Sequence, residues 1–463
     1  MFLKKFKSEG LAHLSWMIGS GSEAVVIDAR RDCDIYVDEA HRQGMRITHI
    51  FETHRNEDYI TGSNDLKRRT NATIHHGKQM DFAFGEPVED GDTFEVGKLI
   101  FKVLHTPGHT MESISIAVYD PAFSKEDAVG VFTGDALFIG DVGRTDFYPD
   151  RKEEVAGMLY DSIHNKILPL GDQTILYPAH GAGSVCGSGM AKREFSTLGY
   201  ERKNNPRLQM SRDDFIDFKV HENHYQPPYF RQMEKYNKEG APEYWGMPKP
   251  IPMDADSFSD AMEHGMVAID IRSPEAFAGA YIPGSYAMPV NMIPAFAGWY
   301  LGYDQDIGII SSDYDSAQTA VQHLCRLGYD RVHAIFLNGL KSWETSGKRY
   351  GVIGALYAGD LQEWMDNDKD FTLLDVRSID EYESGHLPDA KHVYVGELAD
   401  KINELNIPKD KTVVTFCGSG RRAIIAASIM KQHGYTDVWD CLGSMSACRE
   451  VGCKMAEPRS ENS

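Results

Sequence analysis

Over residues 1 to about 205 the chain alternates short β-branched apolar runs with Gly- and Asp-rich turns, the pattern of strands joined by tight connections. SEAVVIDAR (22–30) and ITHIFETH (47–54) read as buried strands, separated by a helical stretch, DIYVDEAHRQG (34–44). LIFKVLHTPGH, SISIAVYD, AVGVFTGDALF and QTILYPAH supply further strands, each ending in polar residues. Apolar strands that terminate in His or Asp are expected where ligands gather along one edge of a sheet.

The pattern lapses between Asn204 and Asp256. HYQPPYFRQMEKYNKEGAPEYWGMPKPIPMD is rich in Pro, Tyr and charge, and reads as a connector that wraps over something its aromatics can pack on. The last 200 or so residues then hold an internal repeat. VAIDIRSPEAFAGAYIPGS (267–285) aligns with TLLDVRSIDEYESGHLPDA (372–390) at a constant offset. Asp270 meets Asp375, Arg272 meets Arg377, Phe277 meets Tyr382 and Pro283 meets Pro388. Each copy continues through a second apolar strand, IGIIS or TVVTF, into a helix ending in Gly-Tyr. That order suits a small α/β domain with a mostly parallel sheet. At the same offset Ser312 falls where the second copy has Cys417.

Composition narrows the function classes. A chain of 463 residues has room for about three domains. No apolar run approaches the ~20 residues of a membrane span, and the N-terminal stretch lacks the apolar centre of a signal peptide. The net charge of −21 leaves no basic surplus to neutralise phosphates, so a nucleic-acid partner is excluded. Seven cysteines without paired spacing fit free thiols in a reducing cytoplasm, at least one of them a candidate nucleophile.

Four segments carry candidate metal ligands: THRNEDY (53–59), TPGHT (106–110), FTGDAL (132–137) and YPAHG (177–181). A single His at a strand end is more often structural; several in registered motifs argue for a shared ion. Together they resemble the metallo-β-lactamase superfamily, whose signature is His-x-His-x-Asp-His followed by a His, a bridging Asp and a final His. Two positions depart from it: Asn56 stands for the second His and Tyr59 for the fourth residue. A two-zinc hydrolase needs both sites filled to hold a bridging hydroxide, and each site here has lost an imidazole. His54, His109 and Asp135 survive, and two His plus one carboxylate is the facial set of non-haem Fe(II) oxygenases. The closer resemblance, which the GDVGRTDF stretch (140–147) shares, is to the persulfide dioxygenases of this fold. It implies one Fe(2+) per chain held by these three residues. Asp58 and His180 would orient ligands or bound water, or mark a second metal position. Cys186, in GAGSVCGSG, is either a sulfur relay beside the metal pocket or a bystander.

In the second repeat, VVTFCGSGRRAIIAASIMKQHG places Cys417 at a strand end, before a Gly/Ser/Arg loop and an Ala/Ile-rich helix. Inward-pointing N–H groups of Gly418, Ser419 and Gly420 and the helix N-terminus would stabilise a persulfide anion on Cys417. Arg421 and Arg422 would bind an anionic donor such as thiosulfate. The loop is too short for the Cys-x5-Arg of tyrosine phosphatases, because Ala423 occupies that place. With its DVR and GHLPDA elements this copy resembles a rhodanese sulfurtransferase. In the first copy Ser312 replaces the nucleophile, Asp313 and Asp315 replace cradle glycines, and no Arg matches Arg421 or Arg422.

These readings give an α/β protein: an αββα metallo-β-lactamase sandwich with its connector over 1–245, an inactive rhodanese homology domain over 255–350, and an active rhodanese domain over 355–458. The expected activity is O2-dependent oxidation of a low-molecular-weight thiol persulfide to sulfite, with sulfane sulfur passing through Cys417 to or from thiosulfate. A cytoplasmic homo-oligomer without membrane association is expected. The alternative is a zinc-dependent thioesterase resembling glyoxalase II with an accessory sulfurtransferase.

Overall fold

The computed structural model describes residues 1–184, 187 and 189–456. The chain forms two compact units: Met1–Met247 with Arg326–Gly328, and the remainder from Pro248 onward. No helix among the described residues is long and apolar enough to cross a membrane.

Two sheets build the first unit. One runs in the order Phe2–Ser8, His13–Ser20, Glu23–Ile27, Arg46–Phe51, Thr73–Gly77, Glu86–Val88; the other in the order Ile175–Pro178, Gly130–Gly134, Ile114–Tyr119, Leu99–His105, Thr93–Val96. Strand alternation divides each sheet's side chains between two faces. Leu14, Trp16 and Ile18 join Val25, Ile27 and Phe51 in a core shared with Phe101, Val103, Ile116, Val118 and Phe132 of the opposite sheet. Met17, Val26 and Ile50 point outward onto the helices Asp34–Gln43 and Ser63–Thr70. Val131 and Leu176 do the same beneath the helix Lys152–Ser162. The result is the expected αββα sandwich.

The N-terminal hairpin Phe2–Ser20 is not among the strands expected from the sequence, its first strand, FLKKFKS, carrying three lysines. It has a structural task. Leu14 N donates to Ala179 O, Gly181 N donates to Ala12 O, and Trp16 Nε1 donates to Pro178 O at 3.0 Å, so the hairpin clamps the segment that carries His180.

In the second unit the repeat is visible as two five-stranded sheets of matching order, all parallel. The first runs Ile251–Pro252, Val332–Phe336, Ile307–Ile310, Val267–Asp270, Tyr286–Ala287; the second runs Gly354–Tyr357, Val438–Leu442, Val413–Phe416, Thr372–Asp375, Lys391–His392. The shared Asp-x-Arg motif explains itself as structure. Arg272 forks onto buried Asp270 and donates to Ala280 O at 2.7 Å; Arg377 forks onto buried Asp375 and donates to Gly385 O at 2.9 Å. In both copies one guanidinium ties the strand end to the loop after the following helix.

Candidate metal centre and sulfur loop

All four candidate segments in the first unit end at the same edge of the sandwich. His54 lies three residues beyond Phe51, His109 four beyond His105, Asp135 one beyond Gly134 and His180 two beyond Pro178. Two glycines permit this convergence. Gly134 has φ +55°, and a Cβ there would stand 2.6 Å from Thr53 Oγ1; a Cβ on Gly143 would stand 1.9 Å from Asp135 O. The close approach at Gly143 brings Arg144 O to 2.9 Å from His109 Nδ1.

His54, His109 and Asp135 are buried, with one donor atom from each lying within 4.8 Å of the others. Asp135 Oδ2 is 3.7 Å from His54 Nε2 and 3.6 Å from His109 Nε2. None of these three atoms has a hydrogen-bond partner, whereas the other end of each side chain does. Arg144 O accepts from His109 Nδ1, which fixes a tautomer with a lone pair on Nε2. His54 Nδ1 lies 2.9 Å from Thr53 Oγ1, and Thr53 in turn donates its hydroxyl to Asp28 Oδ2 at 2.9 Å. The Thr53 proton is committed to Asp28, so His54 Nδ1 must donate and its Nε2 is also left with a lone pair. Burial pulls the His54 imidazole down to about 4, so it is neutral at neutral pH. Burial alone would raise Asp135, but the imidazoles of His180 and His54 hold it well below the carboxylate range. Burial would lower His109, but the carboxylates of Glu57 and Asp135 outweigh it and raise the imidazole. Two imidazole nitrogens and one carboxylate oxygen, desolvated and without hydrogen-bond partners, fit a divalent metal ion, which would take the place of the proton on His109.

Around this set, His180 Nδ1 contacts Asp135 Oδ1 at 2.7 Å, and His180 Nε2 lies 3.1 Å from Asp58 Oδ2 without hydrogen-bond alignment. The carboxylates of Asp135 and Asp58 outweigh burial and raise the His180 imidazole well above its ordinary value. Tyr59 stacks on buried His13 with ring centroids 4.0 Å apart. Cys186 lies outside the described residues.

Three contributors were not among the candidate residues. Glu57 is buried, and its Oε2 lies 3.7 Å from His109 Nε2. Asp28 orients His54 through Thr53. Asn237, from the helix Phe230–Glu239 of the connector, donates from Nδ2 to Asn56 O and Tyr59 O, both at 2.7 Å, and accepts from Thr61 N at 2.9 Å. The connector therefore braces the loop that carries His54 and Asp58. Glu57 and Asp28 had local cues, since Glu57 lies inside the THRNEDY segment and Asp28 directly follows the apolar strand Glu23–Ile27; Asn237 had none.

At the other site Cys417 ends the strand Val413–Phe416 and is 1% exposed. Gly420, with φ +92°, donates its N–H to Cys417 Sγ at 3.1 Å and opens the helix Arg421–Gln432. Ser444 and Ser446 hold the loop from behind: Ser444 Oγ accepts from Cys417 N, and Ser446 N and Oγ both donate to Gly418 O. The two arginines differ. Arg421 is exposed, whereas Arg422 is forked onto Glu381 at 2.6 and 2.7 Å. That ion pair overcomes the effect of burial and pulls Glu381 down to about 2. In the first repeat Asp313 is the N-cap of the helix Tyr314–Arg326, accepting from Ser316 N at 2.7 Å.

Comparison with known proteins agrees with this geometry. Residues 9–180 match the metallo-beta-lactamase superfamily, and residues 254–346 and 357–450 each match the rhodanese-like domain. The bovine mitochondrial persulfide dioxygenase ETHE1 is 32% identical over 204 residues, covering 42% of this chain and 70% of the relative. The hydroxyacylglutathione hydrolase GloC of Haemophilus influenzae is 26% identical over 207 residues, covering 40% of this chain and 87% of the relative. A crystal structure of a metallo-beta-lactamase from Staphylococcus aureus subsp. aureus COL is 33% identical with a TM-score of 0.65, covering 73% of this chain and 99% of its own. Through its first domain the chain belongs to the persulfide dioxygenases of the metallo-beta-lactamase superfamily, and it joins to that domain two rhodanese-like domains.

Proposed function

We propose that the domain over 1–245 oxidises a low-molecular-weight thiol persulfide with O2 at one non-haem iron held by His54, His109 and Asp135. The supporting observation is the convergence of three buried, unpartnered donor atoms beside a second position that has Asn56 and Tyr59 in place of imidazoles. Bound there, Fe(II) would supply what zinc lacks, the ability to pass electrons to O2. The chain's own residues desolvate the centre and fix both imidazole tautomers. The balanced reaction is R–S–S⁻ + O2 + H2O → RSH + SO3²⁻ + H⁺.

The domain over 355–458 would carry sulfane sulfur on Cys417. A Cys417 persulfide passing its outer sulfur to sulfite gives thiosulfate and the Cys417 thiolate, and the reverse direction consumes thiosulfate. Gly420 N–H lies where it stabilises the charged sulfur, and Arg421 is the cation open to a dianionic donor. The repeat over 255–350 would be non-catalytic, serving assembly. The test is metal content of the purified chain with O2 uptake on glutathione persulfide. About one iron per chain and stoichiometric sulfite are expected. Two tightly bound zinc ions in protein that hydrolyses thioesters would refute the proposal.

A further inference from the structure

A fourth buried side chain, the acidic Glu57, lies beside the three residues of the proposed metal position. Glu57 is 1% exposed, and its Oε2 has no hydrogen-bond partner. This oxygen stands 3.7 Å from His109 Nε2, the same separation that His54 Nε2 keeps from Asp135 Oδ2. Two donors each ~2.0–2.2 Å from one ion lie about 3 Å apart when adjacent and about 4 Å apart when opposite. The Glu57–His109 spacing falls between these two values and is compatible with a shared ion as well as with an ion pair to a protonated His109. Glu57 nevertheless falls outside the mutual 4.8 Å set, so it reaches the ion only by turning its side chain.

Arg55 is what holds it back. The Arg55 Nη2 lies 3.1 Å from Glu57 Oε1 and also 3.1 Å from Glu234 Oε1 on the connector helix, while Arg55 N donates to Glu112 Oε1 at 2.8 Å. A plain Arg55–Glu57 ion pair would account for one carboxylate oxygen and leave the other buried with no donor, which is costly. A cation at the His54, His109 and Asp135 position removes that cost.

We propose that Glu57 is a displaceable fourth donor of the metal centre. With no substrate present its carboxylate takes a position that the other three leave open; an arriving persulfide anion takes that position, and Glu57 returns to Arg55. One anionic donor replaces another, so the charge at the centre stays constant. This rests on the single-iron reading above.

The test uses the full chain in wild type, Glu57→Gln and Glu57→Ala, first with Fe(II) alone under anaerobic conditions for metal affinity and then with O2 and glutathione persulfide for turnover. Both variants should bind Fe(II) about 10- to 100-fold more weakly. At saturating Fe(II) both should show a lower KM for glutathione persulfide, because the competing carboxylate is gone; a merely structural role would not lower KM. Circular dichroism reports folding, and the near-isosteric Gln variant keeps the test decisive if the Ala variant unfolds. Unchanged Fe(II) affinity overturns the proposal whatever KM does. Weaker Fe(II) binding with a raised KM overturns it too, since that is a damaged site. A wild-type chain that binds no Fe(II) overturns the single-iron reading itself, and is seen before either variant is compared.

Discussion

Replacing Asn237 with Ala isolates the connector's contribution to the metal loop. Asn237 is 2% exposed and makes three hydrogen bonds to loop backbone, two to carbonyls at 2.7 Å and one from Thr61 N at 2.9 Å. A hydrogen bond contributes about 1 kcal/mol net, and a buried group left unsatisfied costs about 1–3 kcal/mol. Asn237→Ala should therefore destabilise this region by about 3–5 kcal/mol, less where water enters the space. If about 1.4 kcal/mol of that falls on the loop bearing His54, metal affinity drops about tenfold. The assay pairs Fe(II) affinity with hydrogen exchange of the Thr61 amide. Asn237→Asp keeps the acceptor for Thr61 N but sets a carboxylate against two carbonyls, so it should protect Thr61 while still weakening the metal. Unchanged Thr61 exchange and unchanged affinity in Asn237→Ala would show that the loop holds its shape without the connector.

Cys417→Ser should abolish thiosulfate sulfurtransfer, because a hydroxyl cannot carry a persulfide, while persulfide-dependent O2 uptake largely persists; retained transfer would point to another thiol. Ser312→Cys in that background should give no sulfurtransfer, since Asp313 and Asp315 flank the new thiol and Asp313 is needed as the helix cap; transfer from this single change would end the non-catalytic assignment. Glu381, held at about 2 against an ordinary 4.5, contributes stability that is complete above about pH 4.5 and lost as pH falls toward 2. With its side chain 41% exposed, solvent screening reduces this to about 1 kcal/mol, read as a roughly fivefold lower protection factor (exchange corrected for the intrinsic pH dependence) in residues 413–432 at pH 3 than at pH 6, a difference absent from Glu381→Gln.

What the sequence made legible is what is local. The strand ends bearing His54, His109, Asp135 and His180 announce themselves because an apolar run stops within four residues of each. The repeat is legible because Asp270/Arg272 and Asp375/Arg377 keep their spacing to satisfy the same fork. Asn237 is not legible: it lies some 180 residues from the loop it braces, in a stretch with no strand pattern. Nor is the difference between Arg421 and Arg422, adjacent and chemically identical, because Glu381 on another helix selects one of them. The N-terminal hairpin was obscured because the lysines of its first strand break the apolar alternation, while its second strand contributes Leu14, Trp16 and Ile18 to the core.

The arrangement around Asp135 bears directly on how many metal ions the centre can take. A carboxylate that bridges two ions offers one oxygen to each. Asp135 has committed Oδ1 to His180 Nδ1 at 2.7 Å, and only Oδ2 faces His54 and His109. The imidazole that makes this contact is itself flanked by Asp58, so the positive charge needed between the two carboxylates can come from a protonated side chain. On the other side of the position, the Tyr59 ring stacks on His13 and offers a phenol where the superfamily signature has an imidazole. Restoring His at 56 and 59 would add nitrogen donors without releasing Asp135 Oδ1. A second ion would still have to displace His180 from Asp135, so the hydrogen bonds as well as the missing ligands support the proposal of a single iron.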